Sequence, residues 1–120
     1  MEKEFVKYEQ ALALKKLGFN EPCFGYYVSV EVPNPFLVIT KISDTQGGYF
    51  TFAPLYQQAF RWFREEYKLY YTIEGSIKEG FQYFVYTYEY EIKSEQLFNT
   101  HEEAELECLK KLIEIVKNEG

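Results

Sequence analysis

The stretch Ala53 to Tyr71, APLYQQAFRWFREEYKLYY, constrains the fold more than any other part of the chain. Pro54 suits the first turn of a helix, because its missing N–H has no partner there and its fixed φ is already helical. Tyr56, Phe60, Phe63 and Tyr67 follow at i, i+4, i+7 and i+11, and Leu55, Ala59 and Trp62 widen the same side. Gln57, Gln58, Arg61, Arg64, Glu65 and Lys68 fall on the other side. The spacing predicts an amphipathic helix with an aromatic stripe. Burying one large apolar side chain contributes roughly 1.5–3 kcal/mol, so the stripe can outweigh any other single element of a domain this size. Glu66 projects within the apolar arc. It is read either as a rim residue whose head reaches water or as a buried carboxylate.

A chain of 120 residues fits a single α+β domain spanning 1–120 and needs no staple to hold a core. Cys23 and Cys108 stand far apart, without a CxxC pair or a neighbouring histidine, so both are expected as reduced, buried residues. The first residues, MEKEFVKYEQ, carry charges and no apolar h-region, and no apolar run reaches the roughly 18 residues of a membrane span. A cytoplasmic protein is expected, with no membrane contact. The net charge of −6 disfavours duplex nucleic acid, whose affinity rests largely on phosphate neutralisation.

Along the chain, Val6, Gln10, Ala13, Leu14 and Leu17 mark a first helix, which Gly18 ends. Phe24, Tyr26, Val28, Val30 and Val32 alternate with Gly25, Tyr27, Ser29 and Glu31, and Phe36 to Ile42 is a second β-branched run beyond a Pro33 to Pro35 turn. Ser43 to Gly48, SDTQGG, is a connector, and Tyr49 to Phe52 a short extended approach to the central helix. Tyr70 to Ile77 and Phe81 to Lys93 form a hairpin around Lys78-Glu79-Gly80, with glycine where positive φ is wanted. Phe84, Tyr86, Tyr88, Tyr90 and Ile92 share the face expected to meet the helices, while Tyr83 and Val85 leave an apolar patch on the other. Thr100 and Glu103 form a capping box for a long last helix. The predicted order is α-β-β-α-β-β-α, three helices on an antiparallel sheet of about four strands.

No constellation commits the chain to catalysis. His101, the single histidine, belongs to the first turn of the last helix, no GxSxG surrounds a serine, and no metal-ligand spacing occurs. No catalytic residue, metal or cofactor is assigned. The one local contrast is Gln57, Arg61, Arg64 and Lys68, a basic row along the exposed face of the central helix in an acidic protein. It is either an ordinary solvated face or a contact surface for an anion.

Three blocks, ALALKKLGFNEPCFGYY from Ala11, APLYQQAFRWFREEYKLY from Ala53 and EEAELECLKKLIEIVKN from Glu102, resemble a group of small uncharacterised proteins found in bacteriophage and prophage genomes. The resemblance spans most of the chain and implies a phage-type accessory protein in a bacterial cytoplasm. It carries no functional residue with it. The expected role is non-catalytic: binding a host or phage protein partner, or self-association. The alternatives are capture of a small anionic ligand such as a nucleotide, with a pocket beside Arg61, Arg64 or tyrosines, and an enzyme using Glu66 or another buried acid.

Overall fold

Two three-stranded antiparallel sheets replace the single sheet of about four strands. They are seen in a computed structural model that describes residues 2–28, 34–42 and 50–119, and the chain divides into compact units Met1–Ala59 and Phe60–Gly120. The element order is α-β-β-β-α-β-β-β-α, preceded by one 3-10 turn at Glu2–Glu4. The Ser43 to Gly48 connector and the predicted strand residues Ser29 to Val32 lie outside the described residues.

In the first unit α1 (Tyr8–Leu17) ends at Gly18, whose φ of 106° lets its N–H and that of Phe19 reach the carbonyls of Lys15 and Leu14. Val6 is buried but lies before the helix. Its N–H donates to Pro54 O at 2.9 Å and Phe5 bridges Leu55, so the N-terminal segment runs as a short extended piece. That pairing also explains why Pro54 lies outside α2 (Tyr56–Tyr67), contrary to its predicted place in the first turn. β1 (Cys23–Val28) is the central strand, with β2 (Phe36–Ile42) on one side and β3 (Phe50–Phe52) on the other. Tyr26 pairs with both Val38 and Phe52. A three-residue strand is too short to display a period, so Tyr49 to Phe52 reads in sequence only as extended chain. α1 rests on β3, where Lys15 Nζ donates to Phe50 O at 3.3 Å and Phe19 meets Phe52 edge to face.

The second unit holds most of α2, then β4 (Tyr70–Ser76), β5 (Gly80–Tyr86), β6 (Glu91–Lys93) and α3 (His101–Glu119). Gly80 has the expected positive φ, 94°, and Ser76 faces it across the turn. The predicted run Phe81 to Lys93 breaks at Thr87. The Thr87 hydroxyl accepts the N–H groups of Glu89 and Tyr90 and donates to Tyr90 O, folding a tight turn from residues that otherwise favour strands. β6 therefore folds back beside β5, with Val85 opposite Ile92.

The faces of β5 are the reverse of the expectation. Val85 is fully buried, Tyr83 stacks with Phe98, and Phe81 meets the His101 ring edge to face, so the odd-numbered residues point to α3. The apolar patch predicted at Tyr83 and Val85 is thus the covered face. α3 buries Ala104, Cys108, Leu109, Leu112, Ile113, Ile115 and Val116 and packs on β4 and β5. Its N-terminus is capped as predicted: Thr100 Oγ1 accepts Glu103 N–H at 3.0 Å, and the Glu103 carboxylate accepts Asn99 N–H at 3.2 Å. α2 buries Tyr56, Ala59, Phe60, Trp62 and Phe63 as its stripe predicts, whereas Tyr67 is exposed. Phe60 stacks on Tyr71 with centroids 3.9 Å apart.

Thr51, on β3, is buried with a hydroxyl that has no partner among the described residues. An unsatisfied buried hydroxyl costs about 1–3 kcal/mol. Thr51→Val keeps the shape and removes the orphan, and is expected to raise unfolding stability by about 1 kcal/mol in urea titrations.

Candidate functional site

Gln57, Arg61, Arg64 and Lys68 are all exposed, as the sequence places them. For two of them the helix itself supplies a reason for the charge. Arg64 occupies the last turn of α2 and Lys68 follows immediately, where positive charge complements the negative end of the helix. Lys68 has φ 57°, so it fills the left-handed position that glycine holds after α1. Exposed Glu65 and Glu66 stand between the two cations. Glu66 is therefore a rim residue, and the buried-carboxylate reading is corrected: its place in the apolar arc falls in the final turn, where the neighbouring Tyr67 is also exposed.

The groups with perturbed chemistry lie elsewhere. Cys23 and Cys108 are free and buried, as expected. Burial first, and then Glu21 beside Cys23 and Glu105 beside Cys108, push each thiol up to about 12. Burial also raises the phenols of Tyr71 and Tyr83 and the half-buried carboxyl of Glu105. Shifts of this direction keep thiols and phenols neutral, opposite to what a nucleophile needs. His101 is exposed in the first turn of α3 and touches Phe81. Among the described residues no group of three His, Cys, Asp or Glu could hold a metal ion.

Three surfaces stand out among the described residues. In the second unit a cleft of about 650 Å³ lies beside β6 and α3, lined in part by Tyr83, Ser94, Glu107, Lys111 and Glu114. Several of its polar groups are already engaged: Ser94 Oγ accepts Tyr83 N–H and donates to Gln96 O, and Lys111 pairs with Glu114 at 3.5 Å. In the first unit a cleft of about 520 Å³ is walled by Phe5, Tyr27, Phe36 and Tyr56, with Lys3 and Lys7 also lining it. Neither cleft includes any member of the basic row of α2.

The third surface is the outer face of the β4-β5-β6 sheet. Register places Tyr70 opposite Tyr86 and Thr72 opposite Phe84, with Glu91 and Lys93 flanking them on β6. Phe84 and Tyr86 are half-buried with near-parallel rings, Tyr70 is exposed, and Thr72, Glu74, Glu91 and Lys93 are exposed around them. The Tyr86 and Thr72 hydroxyls lie 3.3 Å apart. The sequence signals this cluster through its alternation but assigns it to the wrong side. No sequence signal marks Lys3 and Lys7, because their neighbours Glu2, Glu4 and Glu9 balance them in local charge.

No family model, curated protein or solved structure matches the chain. No helix among the described residues is long and apolar enough to cross a membrane.

The raised thiols make a pH prediction. A thiol whose folded pKa lies above its unfolded value, about 8.5, contributes stability that is complete below the unfolded pKa and lost as pH rises toward about 12. Tyr71 and Tyr83 act in the same direction. Native protein at pH 8 should react very slowly with an aromatic disulfide reagent and fully once unfolded. Its stability should fall with alkaline pH, and less steeply in Cys108→Ala.

Proposed function

We propose that the chain is a non-catalytic binding protein, whose second unit offers the outer face of its sheet to a protein partner or to a second copy of itself. The observation that carries this reading is the cross-strand cluster of Tyr70, Phe84 and Tyr86, incompletely buried and bordered by exposed Thr72, Glu74, Glu91 and Lys93. Aromatic centres with polar rims are the usual anatomy of protein interfaces, and tyrosine is enriched at their hot spots. Tyr70 is exposed and the rings of Phe84 and Tyr86 are only partly covered, so a binding role gives their remaining apolar surface a physical use. The neutral thiols and phenols fit a non-catalytic role. The resemblance of three sequence blocks to phage and prophage proteins supports an accessory role inside an infected bacterium.

The test uses the triple variant Tyr70→Ser, Phe84→Ser, Tyr86→Ser in the full chain. Its thermal transition is first compared with that of the unaltered protein. Tagged protein is then used to capture partners from a bacterial host lysate, and sedimentation velocity reports self-association. The proposal expects a captured protein or a dimer that the triple variant loses by at least about thirtyfold in affinity, the loss of one or two hot spots. Binding that the folded variant retains in full would overturn it, as would a monomer that captures nothing.

A further inference from the structure

The first unit holds a site of a different kind. Its cleft joins Lys3 and Lys7 to the rings of Tyr27, Phe36 and Tyr56, and none of the described residues lining it is acidic. In a chain of net charge −6 such a composition runs against the background. Both lysines are exposed, and among the described residues neither forms an ion pair. Lys7 is the N-cap residue of α1 and makes no side-chain capping bond, so its positive charge is placed at the helix end that disfavours it. Glu9 in the same first turn offsets part of that repulsion, and an anion in the cleft would offset more.

One wall, Tyr27, is held in place by its neighbours. The Tyr27 hydroxyl donates to Val6 O at 2.7 Å, and its ring is held edge to face by Tyr8, so the ring is fixed in orientation. Phe5 and Tyr56 line the cleft as buried residues, whereas Phe36 lines it while about half exposed at 49 %. The volume of about 520 Å³ falls within the 300–1,000 Å³ range typical of small-molecule sites. Lysines recognise phosphate as point charges, and rings recognise planar heterocycles by stacking.

We infer that this cleft binds a small phosphorylated aromatic molecule of the nucleotide class, with Lys3 and Lys7 on the phosphate and Phe36 against the base. The site lies wholly in the first unit and uses none of the residues of the outer sheet face, so the two proposals stand or fall separately.

Calorimetric titration of the full chain tests it, with adenosine monophosphate, adenosine and pyrophosphate as probes at low and raised salt. The expected result is saturable binding of the monophosphate below about 1 mM, at least tenfold tighter than adenosine or pyrophosphate and weaker at raised salt. Lys3→Ala with Lys7→Ala should reduce monophosphate affinity at least tenfold and abolish the salt dependence, and Phe36→Leu should bring it toward that of pyrophosphate. The lysines are exposed, so unaltered thermal unfolding of their variants confirms that folding is intact. No binding by any probe overturns the inference. So does monophosphate affinity that survives the lysine substitutions, or pyrophosphate binding as tight as the monophosphate, which indicates an anion patch without ring recognition.

Discussion

The burial of Val85 beneath α3 is the constraint on which the second unit depends. β5 is the central strand, and side chains along it alternate strictly between two faces. Once Val85 takes the covered face, Phe81 and Tyr83 go with it, and Phe84 and Tyr86 must turn the other way. α3 answers with a nearly continuous buried stripe from Ala104 to Val116. Cys108 sits in that stripe, which is why its thiol is held neutral. Every residue nominated on the outer sheet face inherits its orientation from this one choice of parity.

The first unit solves a similar problem with less material. β1 is central, and Gly25 on it lets the Phe5 ring come so close that a Cβ would stand 2.9 Å from it. That approach, with the Val6 to Pro54 hydrogen bond and the Phe5 to Leu55 bridge, turns the N-terminal residues into part of the core. Lys3 and Lys7 flank Phe5 and Val6 in sequence, and both line the same cleft. The basic cleft is a consequence of docking a charged N-terminal segment onto an aromatic sheet.

Much of this was legible in the residues. The aromatic stripe of α2, the Gly18 stop, the Gly80 turn, the Thr100 cap and the two buried cysteines follow from local rules, and local rules survive folding. The third strand of each sheet did not follow. β3 and β6 have three residues each, and β6 is separated from β5 only by the Thr87 turn, where Thr and Tyr look like strand formers. Face assignment failed for a related reason: Phe84, Tyr86, Tyr88 and Tyr90 outnumber Tyr83 and Val85 as apolar residues, but the turn removes Tyr88 and Tyr90 from the strand altogether. The basic row of α2 is visible in the sequence and exposed in the structure, with Arg64 and Lys68 at the end of the helix. The Lys3 and Lys7 cleft needed distant chain segments to meet, which no spacing records.

The parity of β5 carries the account, and equilibrium urea unfolding of Val85→Ser beside Phe84→Ser tests it most directly. A hydroxymethyl group in place of the fully buried valine leaves a cavity and a polar atom without water, and should cost about 3 kcal/mol. Replacing Phe84, half-buried on the outer face, should cost less, about 2 kcal/mol, because its ring is only partly removed from water. The reverse order, with Phe84→Ser the more damaging, would place the aromatic cluster in the core and contradict the binding face derived from it.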